Sequence, residues 1–159
     1  MKIIVDTRED ENKFLAFSAY QDDVRLYRDK LDAGDYTIFG ADRPGDDHSI
    51  IFERKENCRE LITNLATHWD RFQNEMGLLA RYKRAQIIVC QPDCFQYLYD
   101  NGLTKCSPSF IYSRLSHVYF NFGVSTIFLK DRDAVENYMY RMFRLTAKAL
   151  REDAEYTQN

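Results

Sequence analysis

Two short stretches of this chain carry side chains able to do chemistry together: Gly34-Asp35-Tyr36 and Ile50-Ile51-Phe52-Glu53-Arg54-Lys55. Read as a strand, the segment from Ser49 to Lys55 alternates between two faces. Ile50, Phe52 and Arg54 point one way, and Ile51, Glu53 and Lys55 the other. Glu53 and Lys55 are then neighbours at the point where an apolar strand leaves its core. Asp35 reaches the same place from the adjoining strand through a hairpin that turns at Gly40 to Gly45. Two carboxylates and an ammonium at one sheet end suit a Mg²⁺ site, because that ion takes oxygen ligands and needs only one or two carboxylates besides phosphate and water. The same spacing also suits a plain hairpin with a surface ion pair. Spacing alone does not separate the two.

The elements that must position these residues follow from periodicity. Lys2 to Asp6 reads as a short buried strand, followed by the polar loop Thr7 to Asp10. Glu11 to Tyr20 is expected as a short helix and Asp23 to Leu31 as a strand. Gly34 to Phe39 and Ser49 to Lys55 form the hairpin, joined by Gly, Asp and Pro turn chemistry. Ile62, Leu65, Trp69, Phe72, Met76 and Leu79 recur at three- and four-residue steps, a buried helical stripe. A break at Thr67 or His68 makes it a short helix and then a longer one to about Tyr82. Ala85 to Cys90 is a continuous apolar run, typical of a strand covered on both faces. Pro92 and Asp93 mark a helix start, and Asn101-Gly102 its end. Ser107-Pro108 opens a helix that Gly123 stops. Val124 to Leu129 is a strand, Asp131 caps the last helix, and Glu152 to Asn159 is expected as a frayed tail. Strands first in hairpins and then alternating with helices make an α/β sandwich with one central sheet.

Composition bounds the possibilities. The chain has 159 residues, enough for one domain with a sizeable core. A net charge of −3 argues against a broad basic coat for nucleic acid but leaves room for a local basic groove. No stretch approaches the roughly 20 apolar residues of a membrane span, so no membrane association is expected. Cys58, Cys90, Cys94 and Cys106 fit no zinc spacing and are expected as free thiols in a reducing compartment. An intracellular location follows, cytoplasm or nucleus according to source. His48, His68 and His117 do not stand at ligand spacing.

Taken in order, Val5-Asp6-Thr7-Arg8-Glu9, Gly34-Asp35, Glu53-Arg54-Lys55 and Arg71-Phe72 with Glu75 resemble the nuclease domain of the XPF-type structure-specific endonucleases, within the PD-(D/E)XK superfamily. The resemblance covers roughly residues 2 to 150. It implies a restriction-endonuclease-like mixed central sheet flanked by helices, and Mg²⁺- or Mn²⁺-dependent cleavage of DNA at branches, flaps or junctions. It implies that Asp35 and Glu53 hold the metal, that Lys55 positions or activates the attacking water, and that Asp6 adds a carboxylate. Arg8, Arg54 and Arg71 would face phosphate or brace the site. The whole of residues 1–159 then reads as one nuclease domain without the helix-hairpin-helix module that family members often carry. DNA affinity would come from this domain, a homodimer or an accessory DNA-binding partner.

One position departs from the family pattern. The motif continues from Glu-Arg-Lys through three residues to an Asp, and here that position is Arg59, with Glu56 before it and Glu60 after it. Either the fourth acid is dispensable, or Glu56, Glu60 or Asp6 replaces it, or metal binding is weakened. A second reading is therefore a catalytically silent scaffold of the same fold that binds DNA or a partner. A third is a general end-processing or restriction-like enzyme, since one fold hosts many specificities. Wide apolar faces on the last two helices, with Tyr112 and Tyr119 on the first and Tyr138, Tyr140, Met142 and Phe143 on the second, point to a homodimer.

Overall fold

Side chains alternate between two faces along each strand, and the inner strands are buried on both, so the sheet carries a different core on each face. The computed structural model describes residues 1–156. Lys2–Asp6 (β1), Arg25–Asp29 (β2), Tyr36–Ile38 (β3), Ile50–Lys55 (β4), Arg84–Val89 (β5) and Ser125–Phe128 (β6) form one sheet in the order β2-β1-β3-β4-β5-β6. β3 pairs antiparallel with both β1 and β4, while β1 with β2, β4 with β5, and β5 with β6 are parallel. The helices are Cys58–Ala66 (α1), Trp69–Leu79 (α2), Phe95–Asp100 (α3), Pro108–Phe122 (α4) and Arg132–Tyr156 (α5).

On one face Ile51 of β4 and Ile87 and Val89 of β5 pack with Leu61, Phe72, Met76 and Ile111 from α1, α2 and α4. On the other, Ile50, Phe52 and Ile88 pack with Val135, Met139 and Phe143 of α5. This is the α/β architecture expected, a mixed central sheet flanked by helices. It also fixes the face of each polar residue on β4. Glu53 and Lys55 follow Ile51 toward α1 and α2, and Arg54 follows Phe52 toward α5.

Local chemistry sets the helix ends. Asn57 caps α1 by accepting the Glu60 N–H (3.0 Å). Ser107 accepts the Phe110 N–H (3.2 Å) ahead of Pro108, and Gly123 closes α4 at φ +69°. Asp131 accepts the Ala134 N–H (2.9 Å) at the start of α5.

Two expectations are corrected. Glu11 to Tyr20 is not a helix; only Ser18–Tyr20 forms one 3₁₀ turn. Leu15 and Phe17 are buried while Ala16 between them is exposed, a period of two rather than of a helix. The Leu15 N–H donates to the Tyr36 hydroxyl (2.8 Å), and Arg132 takes the Lys13 and Phe14 carbonyls (2.7 and 2.9 Å), so tertiary partners replace helical ones. The tail expected to fray from Glu152 continues α5 to Tyr156, with Asp153 held by His48 (2.7 Å); residues 157–159 lie outside the described residues. The four cysteines are free. Among the described residues no helix is long and apolar enough to cross a membrane.

Candidate active site

Asp35 sits where three strands meet. Gly34 turns the chain into β3 at φ +68°, and a Cβ there would lie 2.5 Å from Ile51 Cγ1, so only glycine fits. The Asp35 N–H donates to the Phe52 carbonyl (2.8 Å), and the Asp35 carbonyl accepts the Asp6 N–H (2.8 Å). The carboxylate Oδ2 accepts the Arg54 N–H (2.7 Å). Backbone pairing on both sides thus sets this carboxylate at the end of β3 against β4.

Glu53 and Lys55 share a face of β4, and the Lys55 ammonium donates to Glu53 Oε1 at 2.7 Å. It lies 3.8 Å from Glu60 Oε1. These groups open into a cleft of about 240 Å³. Its floor is Asp35, Glu53 and Lys55; α1 contributes Glu60 and Asn64, α2 contributes Arg71 and Glu75, and Arg8 and Asp32 stand at the edge. A larger groove of about 780 Å³ between α4 and β6 is lined by no carboxylate, so its chemistry is different.

The electrostatics of the cleft are unbalanced. Burial, reinforced by Glu53 and Glu9, holds the Asp35 carboxyl well above the usual carboxylate range. Burial also pushes Glu53 up, with Lys55 pulling against it. Burial alone would pull Lys55 down, but Glu53, Glu60 and Asp35 outweigh it, and Lys55 keeps its proton more tightly than usual. The lining counts five acids (Asp32, Asp35, Glu53, Glu60, Glu75) against three bases (Arg8, Lys55, Arg71). A cation beside two buried carboxylates that resist ionising would offset the charge they repel each other with. Among the described residues no three Asp, Glu, His or Cys side chains form a full metal cage. An ion such as Mg²⁺, which takes one or two carboxylates and fills its shell with water and phosphate, would find its protein oxygens in Asp35 and Glu53.

Other expected residues are placed differently. Asp6 is fully buried and outside the cleft lining. Its two oxygens accept four bonds, from the Arg8 N–H (2.7 Å), Arg8 Nε (2.7 Å), Arg8 Nη2 (2.9 Å) and the Leu31 N–H (2.8 Å). A carboxylate with four donors has its acceptor sites filled, so Asp6 serves here to aim Arg8. Burial pushes its pKa up, but the bonds to Arg8 prevail and hold it below the usual value. Arg54 is buried on the α5 face and bonded to Glu9 Oε2 (2.9 Å from Nη2) and to Glu56. That is a bracing position, with no free donor fork turned to a phosphate. Arg8 and Arg71 do reach the cleft edge, with side chains 60% and 65% exposed. Arg59 is exposed and outside the lining, whereas Glu60, next along α1, is inside it. Asn64 was missed, and Glu75 entered only through the family pattern, without a site role. Each lies four residues past a cleft residue on its own helix, Glu60 and Arg71, so the helical period was the available signal.

The mixed six-stranded sheet flanked by helices matches the fold of XPF. A family model described as the ERCC4 domain matches residues 5–142, and the chain belongs to this family. Among solved structures, the chain is similar to XPF from Aeropyrum pernix in complex with DNA. Identity is 21% and the TM-score 0.69, over 93% of this chain and 66% of that one. A second structure of XPF from Aeropyrum pernix matches at 21% identity and TM-score 0.67, over 98% of this chain and 70% of that one. The chain thus spans about two thirds of the length of these relatives. The search of curated proteins gave no match.

Proposed function

We propose that this domain is a divalent-cation-dependent endonuclease that hydrolyses DNA phosphodiester bonds at branches, flaps or junctions. The observation that carries the reading is the convergence of Asp35, Glu53 and Lys55 in one cleft, on the β3 and β4 ends that the fold holds rigid. The solved relative in complex with DNA supports the choice of substrate.

Asp35 and Glu53 would hold the cation, Mg²⁺ or Mn²⁺, through their carboxylate oxygens. When bound, that ion supplies a hydroxide-like water and neutralises charge on the phosphate. Lys55, kept protonated by Glu53, presents a point charge to the phosphate and steers the water. Arg8, aimed by Asp6, and Arg71 meet flanking phosphates at the cleft edge. Glu60 takes the role of the acid that the family motif places at Arg59. Its place in the cleft favours an active enzyme over a silent scaffold. Arg54 braces β4 from behind.

A homodimer belongs to the same reading, with a revised surface. Tyr140 and Phe143 are buried against the sheet and cannot form an interface. The outer side of α4 instead carries Phe120, 88% exposed, and Tyr119, 64% exposed, beside the α4–β6 groove. Aromatics this exposed on one helix suit burial by a second copy.

The test is incubation with end-labelled flap, fork, nicked and linear duplex DNA, with Mg²⁺ or with chelator. Cleavage of a branched substrate in Mg²⁺ alone is expected. Asp35→Asn and Glu53→Gln should cut at least about a hundredfold more slowly while staying folded. No product on any substrate would favour the scaffold instead.

A further inference from the structure

The helical wall of the cleft holds a polar atom left without a partner. Asn64 lies on α1 one turn past Glu60 and lines the cleft. It is 7% exposed, and its Oδ1 is buried with no hydrogen bond among the described residues. Buried amide oxygens in native proteins are normally matched by protein, water or ligand, and an exception calls for a physical reason. The cleft's cationic side chains each have an acidic partner, Arg8 on Asp6 among them. The Lys55 ammonium serves Glu53 and Glu60, and Arg71 Nε lies 3.5 Å from Glu75 Oε1.

An amide oxygen is a neutral, hard acceptor. Mg²⁺ dehydrates reluctantly and keeps several waters, whose hydrogens point outward and need acceptors. We propose that Asn64, with Glu75 from α2, is a positioning residue that accepts hydrogen bonds from the waters of the cation held by Asp35 and Glu53. The inference rests on the cation-dependent reading of the site. It gives the buried Asn64 oxygen a partner that the surrounding side chains do not supply. The cleft stores an unmet acceptor that hydrated metal satisfies, so the change that relieves the orphan should weaken the ion.

The test is Mn²⁺ binding to the DNA-free protein, read from the electron paramagnetic resonance signal of free Mn²⁺, paired with melting in chelator. Wild type should bind, and Glu53→Gln should lose binding. Asn64→Leu, similar in shape but without the acceptor, should bind Mn²⁺ about tenfold or more weakly, while its Tm in chelator is unchanged or higher. Asn64→Asp, which restores an acceptor, should bind at least as tightly as wild type. Glu75→Gln, at a half-buried position, should bind several-fold more weakly and keeps the inference testable if the leucine variant does not fold. If Glu53→Gln loses Mn²⁺ while Asn64→Leu and Glu75→Gln bind like wild type, the positioning role is wrong and the cation reading stands. If wild type itself takes up no Mn²⁺, both fall.

Discussion

Replacing Arg54 by methionine separates a brace from a DNA contact. The Arg54 side chain is 6% exposed and its partner Glu9 13%. Glu9 Oε2 accepts from Arg54 Nη2 (2.9 Å) and Nε (3.2 Å), and also from the Tyr36 hydroxyl (3.1 Å). Methionine fills much of the space but leaves the half-buried Glu9 carboxylate without the guanidinium that pairs with it. Removing one partner of a buried pair costs about 3–5 kcal/mol. In a chain of this length each kcal/mol moves Tm by about 2–4 °C, so a fall on the order of 6–20 °C is expected. The double variant Arg54→Met with Glu9→Leu removes the stranded charge and should recover more than half of the loss. Calorimetry gives the melts. DNA affinity measured at several salt concentrations, well below both Tm values, gives the second readout. A brace leaves the salt slope unchanged. A Tm within about 2 °C of wild type, together with a slope reduced by about one, would refute the reasoning and return Arg54 to the DNA interface.

Other expectations follow from the charges and surfaces. Asp35 has a folded-state pKa raised above its unfolded value, so its contribution to stability is full below about pH 4 and is lost as pH rises through the folded pKa. In chelator, the stability difference between Asp35→Asn and wild type should therefore grow in favour of the variant as pH climbs toward neutrality; a difference that shrinks would contradict the raised pKa. Arg59 faces solvent, so Arg59→Asp should leave the Mg²⁺ concentration for half-maximal cleavage unchanged, whereas Glu60→Gln should raise it several-fold; a Mg²⁺ titration of both variants tests the swap. Sedimentation equilibrium at micromolar concentration should give a dimer mass, and Tyr119→Glu with Phe120→Glu should give a folded monomer. A wild-type monomer would remove the dimer, and a persistent dimer in the variant would move its interface off α4.

The sequence carried the strand-end chemistry because period-two alternation is local. Ile51, Glu53 and Lys55 had to share a face once Ser49 to Lys55 was read as a strand, and the structure puts them together. Arg54 was equally visible as the odd residue of that alternation, yet its role depended on Glu9, forty-five positions away, which no local pattern reveals. Asp6 followed the same logic: its neighbour Arg8 and the distant Leu31 N–H use up the carboxylate. Glu11 to Tyr20 looked helical by residue type, but Leu15 and Phe17 are drawn in by Tyr36 and by the apolar cluster under α5. The choice between Arg59 and Glu60 turned on the angle at which α1 leaves β4. Asn57 caps α1 two residues after the Glu-Arg-Lys motif, and spacing counted from the motif as though no break intervened misses that start.

The central claim is that Asp35 and Glu53 hold the cation that cuts DNA. A crystal of the protein grown with Mn²⁺ and a short flap DNA, measured at the manganese absorption edge, tests it directly. The account predicts an anomalous peak in contact with both carboxylates and with a phosphate oxygen of the DNA. A peak bound elsewhere, or DNA seated away from this cleft with no metal at Asp35 and Glu53, would contradict it.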